Sequence, residues 1–584
     1  MRAKTLIGVL AATMLIAFVR DAVSAEAEQR TAGFRQYDAS VLYPEQIRTS
    51  FSLPMRDGVR LAVDLYRPAA NGHPVDGKLP VIWHHTFDRQ ASRSPAATAT
   101  YKVQDLTRYG YVVAFVERRG LGASFGARRG YNDRIEAYDA YEINEWLAAQ
   151  SWSTGKVGVV GCSNTGAAAM HVITMRPPHL GAVFAACFAW DTYDWTLRGG
   201  IFAQWGTGVT RTIEEDMRAA PVDGDESKAL LRQAAEEHQK STPLEAMWKG
   251  IPYRDDFSAL TASRFWSEGS IATYAGQMQQ ADVPVYIQGG WRDDLRRDGL
   301  ITFANWAPDK RHILIGPWLH CRDDGSVTAE MLRFFDFNLK SVRNGFDRDD
   351  PIHYYTINAP RGDEWRSAGT WPPSNAKSAT YYLDAKGGLD ATSPARKNAV
   401  TTFEVSYQVD CNPGKTAPMS PYSQPCAPKN AGLHFTTAAL KADTEVTGHP
   451  LADLWISTSA TDANLFVYLE DVAPNGEVIA ITDGRLRATI RKLNAPPYEI
   501  LGLPWHRAYR EDAEPLKPDT PAEMKMDLLP VSYVFKAGHR IQVTVTGADY
   551  RERGRPEASP PPRITLHHSK ALPSNLSLPI VASR

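Results

Sequence analysis

A serine flanked by glycines, between a strand-like run and a helix-like run, constrains the fold of this chain most strongly. The stretch reads KVGVVGCSNTGAAAM over residues 156–170, with Ser163 between Gly161 and Gly166. A nucleophilic serine must stand clear of its own backbone at a sharp turn, and the two glycines let the neighbouring chain pass close by. The pattern therefore predicts Ser163 as a nucleophile, although any glycine-rich connection from strand to helix could share it.

The length and the charge balance limit the class of protein. At 584 residues the chain is too long for one hydrophobic core, and we expect two or three domains. Lysine and arginine total 65 and aspartate and glutamate total 66, so the net charge is -1. Because no basic surplus attracts phosphate backbones or acidic membranes, we expect no nucleic acid partner.

Strand-like and helix-like runs alternate around this serine, which is the pattern of a parallel α/β sheet. Besides the run before Ser163, strand-like runs lie at residues 51–68, 79–83, 111–116, 283–288 and 312–316. We assign residues 26–190 and 281–345 to this α/β core.

An acid and a histidine follow the last two of these runs. Asp293 comes after the run at 283–288, and His320 comes after the run at 312–316. Open α/β sheets collect functional groups at the carboxyl ends of their strands, so these side chains can meet Ser163. The order serine, acid, histidine is that of the α/β-hydrolase triad, with Asp294 as the alternative acid.

Two further regions differ from the core. Over residues 191–280 the strand pattern stops, and helix signals such as a capping box at Thr242-Pro243-Leu244-Glu245 indicate an inserted helical cap. Over residues 346–584, short alternating strands separated by turns predict a β-sandwich of the jelly-roll type. Such a sandwich can bind sugar, but packing against a catalytic domain is its commoner use.

Seven motifs occur in a fixed order over nearly all of the chain after residue 25. They are Arg56-Asp57-Gly58-Val59 with Tyr66-Arg67-Pro68, Arg119-Gly120-x-Gly122-x-Ser124-x-Gly126, Gly161-x-Ser163-x-x-Gly166, Gly290-Trp291-x-Asp293, Gly316-Pro317-Trp318-x-His320, Thr482-Asp483-Gly484-x-Leu486-Arg487 and Ala537-Gly538-His539-Arg540-Ile541. Together they resemble the cocaine esterase and X-prolyl dipeptidyl-peptidase (CocE/NonD) family of serine hydrolases. The resemblance implies an α/β-hydrolase core, a helical cap, a C-terminal jelly roll, and Ser163, Asp293 and His320 as the triad.

Two residues depart from the pattern of that family. Asn164 replaces the usual tyrosine after the nucleophile, and its backbone N–H can still stabilise an oxyanion. Phe87 stands where the family has a loop tyrosine whose hydroxyl is the other oxyanion donor. His85 and Thr86 are the nearest side chains that could donate instead, unless they only shape the loop.

The first 25 residues have the pattern of a signal peptide. Two early cations precede an apolar run from Leu6 to Val19, and Val23-Ser24-Ala25 supplies small residues for cleavage after Ala25. The run is shorter than the roughly 20 residues that span a bilayer, which disfavours a membrane anchor. We therefore expect an exported protein, periplasmic or extracellular, with no membrane span after cleavage.

Export permits disulfides, and the chain has five cysteines. Cys411 and Cys426 flank a loop rich in proline and serine and are the predicted pair. Cys162 and Cys321 lie next to predicted catalytic residues, and we expect them to pack as small buried side chains, although the pairing of these two and Cys187 stays open. No spacing resembles a metal or haem site, so we expect neither a metal nor a cofactor.

The sequence thus predicts a secreted serine hydrolase that cleaves an ester or amide bond of a small molecule or short peptide through an acyl-enzyme on Ser163. Five aromatic side chains could line its acyl pocket, although each tryptophan could equally pack in the core. They are Phe87, Trp190, Trp195, Trp291 and Trp318.

Two other functions stay open. An X-Pro dipeptidyl-peptidase or an α-amino acid ester hydrolase needs carboxylates that hold a free α-ammonium group, and Asp191, Asp194 and Asp294 are the candidates. An inactive protein could instead bind carbohydrate through the jelly roll. The sequence also leaves open whether the chain forms a homo-oligomer.

Overall fold

The computed structural model describes residues 33–93, 100–130, 132–202, 211–409, 431–550 and 558–582. The predicted signal peptide at residues 1–25 and the predicted pair of Cys411 and Cys426 lie outside these ranges. Across the described ranges, every helix is too short or too polar to cross a bilayer.

The core of the structure is an eleven-stranded mixed sheet. Its strands are β1 (Glu45–Pro54), β2 (Arg60–Ala70), β3 (His73–Pro74), β4 (Leu79–Thr86), β5 (Val112–Glu117), β6 (Ser153–Cys162), β7 (Leu180–Ala186), β8 (Val285–Arg292), β9 (Arg311–Leu319), β10 (Ile352–Tyr355) and β11 (Trp365–Ala368). The spatial order is β1-β2-β5-β4-β6-β7-β8-β9-β10-β11, and β3 pairs with β2. The strands from β5 to β10 in this order are parallel, so the carboxyl ends of β6, β8 and β9 lie at one edge, as predicted.

The described α-helices cover this sheet or form the cap. They are α1 (Arg134–Ala148), α2 (Asn164–Met175), α3 (Thr192–Thr196), α4 (Ile213–Asp216), α5 (Ala229–His238), α6 (Leu244–Gly250), α7 (Phe265–Gly269), α8 (Ala275–Met278), α9 (Arg296–Ala304) and α10 (Ser326–Lys340).

Both faces of the sheet are buried, which explains why its parallel strands are apolar along their whole length. Val159 and Ile287 pack in the core on one face, whereas their neighbours Val160 and Tyr286 pack in the core on the other. All six residues of β5 are buried. A sheet covered on both faces is the expected α/β architecture.

Strands β10 and β11 pair into the core sheet, although they follow residue 345, where the predicted core ends. Helix α10 carries the chain from β9 to β10, which pairs parallel to β9 in an ordinary βαβ connection. Strand β11 then pairs antiparallel to β10. Strands of four residues have no sequence pattern that separates them from the strands of the next domain.

The insertion between β7 and β8 is helical, as predicted, and contains α3 to α8. The predicted capping box at Thr242 is wrong, because α6 begins after Pro243 without a side-chain cap and the Thr242 N–H donates to the Arg128 carbonyl. A capping box occurs instead at α4, between Thr212 and Glu215. A tertiary backbone contact has therefore overridden the local capping signal.

The C-terminal domain is built from strands in two sheets of nine and four strands. They are β12 (Ala376–Leu383), β13 (Leu389–Asp390), β14 (Val400–Glu404), β15 (Leu433–Thr436), β16 (Thr444–Gly448), β17 (Leu451–Thr458), β18 (Asn464–Val472), β19 (Val478–Arg487), β20 (Ala522–Asp527), β21 (Val531–Phe535), β22 (Arg540–Thr546), β23 (Arg563–His567) and β24 (Asn575–Val581). Ile456 of β17 in the larger sheet and Val467 of β18 in the smaller one share a hydrophobic core, so the domain is a β-sandwich.

Candidate active site

The predicted nucleophile lies at a sharp turn between strand and helix. Strand β6 ends at Cys162 and helix α2 begins at Asn164, which leaves Ser163 alone between them at φ 61° and ψ -130°. Residues other than glycine rarely adopt a positive φ, and they keep it where the surrounding structure holds them there. Ser163 is half-buried, and its N–H donates to the Ala186 carbonyl at 2.9 Å.

The two glycines around Ser163 have the predicted role. A Cβ atom on Gly161 would clash with the carbonyl of Thr165, and one on Gly166 would lie 2.6 Å from the carbonyl oxygen of Ala186. Neither position has room for a Cβ atom, so the turn depends on glycine at both.

Thr165 and His84 brace this turn, and the sequence did not single out either of them. The Thr165 hydroxyl donates to the Cys162 carbonyl at 2.7 Å and accepts from the Cys162 N–H at 2.9 Å. It also lies 2.9 Å from Nε2 of His84. Burial lowers the pKa of His84 to about 4, so this imidazole is neutral at neutral pH. The sequence feature that could have pointed to His84 was the pair of adjacent histidines at the end of a strand beside the nucleophile.

The predicted acid and base are joined directly. Asp293 is the first residue after β8 and His320 the first after β9, and Nδ1 of His320 lies 2.9 Å from Oδ2 of Asp293. The Asp293 side chain is 2% exposed, and the His320 side chain is 22% exposed. Ser163, Asp293 and His320 are therefore each the first residue after their strand, β6, β8 and β9 respectively.

Asp293 and His320 each stabilise the charged form of the other. Burial raises the pKa of Asp293, but the attraction of His320 and several hydrogen bonds lower it below its usual value. Burial lowers the pKa of His320, but the attraction of Asp293 raises it above its usual value. The arrangement favours a carboxylate beside an imidazolium, which forms when a histidine removes a proton from serine.

Cys162 and Cys321 form a disulfide, so the expectation of two separate buried thiols is wrong. Their Cα atoms lie 5.9 Å apart, although 159 positions separate them in sequence. Cys162 precedes Ser163 and Cys321 follows His320, so the bond joins the segments that carry these two residues. Cys187 is buried and free. Sequence spacing could not reveal the pair, because the fold alone brings the ends of β6 and β9 together.

The two candidate oxyanion donors, His85 and Thr86, are the last two residues of β4 and lie before the loop, not on it. His85 is 1% exposed, and among the described residues its Nε2 has no hydrogen-bond partner. Burial and nearby positive charge hold the pKa of His85 well below its usual value, so the imidazole is neutral. The Thr86 hydroxyl accepts from the Asp88 N–H at 3.1 Å and lies 3.2 Å from the Asp88 carbonyl. Thr86 thus shapes the loop, which was the alternative role.

Arg118 connects the two positions that depart from the family pattern, and the sequence reasoning missed it. It is the first residue after β5 and is fully buried. Its guanidinium lies 5.0 Å from the centre of the Phe87 ring and donates to the Asn164 carbonyl at 3.5 Å. It forms an ion pair with Glu136. The sequence feature that could have pointed to Arg118 was its position directly after Glu117, at the end of a run of apolar residues.

Three of the four predicted pocket tryptophans lie in the core, which was the alternative left open by the sequence. Trp190, Trp291 and Trp318 are at most 7% exposed. Trp195 is half-buried and lines a cleft between the cap, the core and the C-terminal domain, together with Asp294. Phe87 is half-buried beside Arg118.

Two of the three candidate carboxylates for an α-ammonium group already hold a cation. Arg254 forms ion pairs with Asp191 and, at 2.6 Å, with Asp194. The hydroxyl of Tyr498 also donates to Asp191 at 3.2 Å. A substrate ammonium group would have to displace this guanidinium to bind there.

One group of side chains among the described residues has ligand atoms close enough to hold a metal ion. The ligand atoms of Cys187, Asp293 and His320 all lie within 4.8 Å of one another. The hydrogen bond between Asp293 and His320 accounts for the contact of those two without a metal.

Models of two protein families match the chain in tandem. The model of the X-Pro dipeptidyl-peptidase (S15 family) matches residues 57–322, which contain Ser163, Asp293 and His320. The model of the X-Pro dipeptidyl-peptidase C-terminal non-catalytic domain matches residues 344–576.

Curated relatives match over most of their length. A Mycobacterium tuberculosis protein, provisionally named a serine esterase, is 31% identical over 611 residues, which cover 91% of this chain and 95% of the relative. The cocaine esterase of a Rhodococcus species is 26% identical over 564 residues, which cover 87% and 92% of the two chains.

Solved structures share the fold. A CocE/NonD family hydrolase from Staphylococcus aureus has a TM-score of 0.72 at 21% identity, over 94% of this chain and 95% of that one. An α-amino acid ester hydrolase has a TM-score of 0.67 at 18% identity, over 93% and 98%. At these identities the likeness concerns the fold alone.

Proposed function

Because the chain belongs to the CocE/NonD and X-Pro dipeptidyl-peptidase family of serine hydrolases, we propose that it is an exported esterase or amidase acting through an acyl-enzyme on Ser163. The observation that carries the proposal is the hydrogen-bonded pair of Asp293 and His320, whose segment is joined by the Cys162–Cys321 disulfide to the segment of Ser163. This arrangement supplies a nucleophile, a base and an acid from the carboxyl ends of three parallel strands of one sheet, β6, β9 and β8.

The proposed reaction has two halves. In the first, His320 takes the proton of Ser163 as the serine oxygen attacks the carbonyl carbon, and the leaving alcohol or amine then receives that proton. In the second, His320 takes a proton from a water molecule as the water oxygen attacks the acyl carbon, and this proton passes to the Ser163 oxygen as its bond to the acyl group breaks. Asp293 holds the imidazole in one tautomer throughout. The Asn164 N–H, at the N-terminus of α2, stabilises the developing oxyanion.

The contacts of the candidate carboxylates favour substrates without a free α-ammonium group. Asp191 and Asp194 already form ion pairs with Arg254. Asp294 lines the cleft that also contains Trp195, and the charge of Asp294 acts on the buried Arg296, so a cation already lies near it. A neutral ester or amide avoids displacing buried ion pairs, and displacement would cost binding energy. The X-Pro dipeptidyl-peptidase is the second candidate, and the description of the matching family model favours it.

Two observations support export. Residues 1–25 have the composition of a signal peptide. Disulfides such as the one between Cys162 and Cys321 persist mainly in oxidising compartments. A periplasmic or extracellular location is therefore part of the proposal.

A comparison of substrates tests the proposed function. We expect the purified protein to hydrolyse p-nitrophenyl esters of graded acyl length with a kcat/KM at least about tenfold above that for Ala-Pro-p-nitroanilide. The matched control is Ser163→Ala, which should retain the fold and lose the activity. A preference for Ala-Pro-p-nitroanilide would establish the dipeptidyl-peptidase instead. Equal turnover by Ser163→Ala would contradict the proposed nucleophile.

A further inference from the structure

Thr165 bonds to both backbone groups of the residue before the nucleophile. Its hydroxyl oxygen lies 2.7 Å from the Cys162 carbonyl oxygen and 2.9 Å from the Cys162 nitrogen. Thr165 is buried, and it lies in the first turn of α2, two residues after Ser163. Ser163 keeps its positive φ only because the surrounding structure holds it there. The two bonds therefore fix the residue from which the strained turn begins.

The hydroxyl of Thr165 has three neighbours and one proton. The Cys162 carbonyl can only accept a hydrogen bond, so it receives the hydroxyl proton, whereas the Cys162 N–H can only donate. The third neighbour is Nε2 of His84, at 2.9 Å. Because the hydroxyl proton is used by the carbonyl, the hydroxyl has only a lone pair left for this nitrogen. Nε2 of His84 therefore carries a hydrogen and donates it to Thr165.

The position of His84 on its strand holds the imidazole beside this hydroxyl. His84 lies near the end of β4, where it pairs in register with Phe115 of β5. The two rings meet edge to face, with centroids 5.8 Å apart and an interplanar angle of 69°. Since the low pKa of His84 keeps the ring neutral at neutral pH, it has a single N–H, and the bond to Thr165 uses it.

We infer that His84 is a positioning residue: its Nε2–H holds the Thr165 hydroxyl, and this hydroxyl holds the backbone that leads into the turn at Ser163. The inference rests on the proposed nucleophile. Cys162 is also joined by the disulfide to Cys321, next to the predicted base. The bonds from His84 through Thr165 thus end on the residue that connects the segments of the nucleophile and the base.

Nuclear magnetic resonance of the native chain, with isotopically labelled histidine nitrogens, tests the proton assignment without a catalytic assay. We expect a protonated Nε2 and an unprotonated Nδ1 for His84 at neutral pH, with the signal identified by its absence from His84→Phe. A protonated Nδ1 with an unprotonated Nε2 would overturn the inference, because the imidazole would then accept from Thr165 and could not hold it as a donor.

Two pairs of variants of the full chain test the effect on catalysis. Thr165→Val removes the hydroxyl and His84→Phe removes the N–H, whereas Thr165→Ser keeps a hydroxyl and His84→Gln keeps an N–H donor. The measurements are kcat and KM for a p-nitrophenyl ester, together with the thermal unfolding midpoint. We expect Thr165→Val and His84→Phe each to lower kcat about tenfold with KM within about twofold, because these contacts orient the nucleophile without binding substrate. The two conservative variants should keep kcat within about threefold of the native value.

The double variant tests whether the two side chains act as one unit. His84→Phe combined with Thr165→Val should lower kcat no more than about threefold beyond Thr165→Val alone, because the donor acts only through the hydroxyl. Additive losses would overturn the inference, as would a kcat within twofold in Thr165→Val. Equal losses in the conservative variants, or a KM that rises in step with the loss, would show a packing defect instead. A failure of the proposed function is distinguishable, since the native chain would then lack hydrolysis that depends on Ser163.

Discussion

The two sides of the nucleophile turn are built differently. On one side, Asp293 and His320 share a hydrogen bond of 2.9 Å, and the disulfide fixes the residue that follows His320. On the other side, the buried His85 has an Nε2 without a hydrogen-bond partner among the described residues. The first side has its geometry set before substrate arrives, whereas the second has a buried polar atom to which no described residue makes a hydrogen bond. We therefore expect the first side to tolerate almost no change and the second to be adjustable.

The largest expected effect is on the fixed side. His320→Ala should lower kcat on the order of 10,000-fold, because the imidazole both accepts and returns the proton. Asp293→Asn should be nearly as harmful, since an amide holds the wrong tautomer of the ring. Steady-state kinetics on a p-nitrophenyl ester measures both losses, and circular dichroism confirms that the variants are folded. Near-native turnover of either variant would show that the triad is assigned wrongly.

The disulfide should contribute strongly to the stability of this side. Closing a loop with a sequence separation of 159 is worth roughly 5 kcal/mol in the chain-entropy model, the top of the usual range. We expect the double variant Cys162→Ser, Cys321→Ser to lower the free energy of unfolding by several kcal/mol in a urea titration. We also expect it to lower kcat, because the segments of Ser163 and His320 are no longer joined.

The matched control for this variant is Cys411→Ser with Cys426→Ser, whose pairing stays a prediction. Mass spectrometry of a non-reduced digest checks both pairs. Free thiols at Cys162 and Cys321 in the native protein would contradict the structure at its active site.

A smaller effect on kcat distinguishes two possibilities for the side of His85: either His85 is the second oxyanion donor, or the oxyanion hole has no second donor. If His85 completes the oxyanion hole, His85→Ala should cost about tenfold or more in kcat, and Phe87→Tyr should bring no gain. The neutral imidazole favours this outcome, and so does its Nε2, which has no hydrogen-bond partner in the described part of the chain. If the hole lacks a second donor, Phe87→Tyr alone should raise turnover of an activated ester, and that gain would refute the role of His85.

The smallest effect concerns the pH profile of the fixed side. His320 must be neutral to act as a base, so kcat/KM should fall as the pH drops through its pKa, which lies above the ordinary value of 6.5. Burial lowers this pKa, whereas Asp293 and, to a smaller extent, Asp294 raise it. Asp294→Asn should therefore move the acid limb to lower pH with only a modest change in kcat. A large loss of kcat would make Asp294 the acid of the triad.

The fixed side could be predicted because topology determines it. Ser163, Asp293 and His320 each follow a strand, and parallel strands end at one edge whatever the distances in sequence. The core, the helical insertion and the strand-rich C-terminal domain followed from patterns of the same kind.

The remaining features depend on tertiary contacts that no local pattern records. The disulfide joins two cysteines that meet only in the folded sheet. Arg118 follows a different strand, β5, and contacts Phe87 and Asn164. Arg254 forms an ion pair with a carboxylate whose partner the sequence does not indicate. Strands β10 and β11 are too short to indicate their sheet. In each of these cases, the packing of the folded chain determines which residues or strands contact each other.

The proposed mechanism depends on Ser163 as the nucleophile of a working triad. Treatment with a fluorophosphonate, followed by mass spectrometry of the digested chain, tests it most directly, because this reagent captures a serine that a neighbouring histidine activates. We expect one adduct, on the peptide that contains Ser163, and its loss in Ser163→Ala and His320→Ala. An adduct on another residue, or no adduct on the folded native chain, would contradict it.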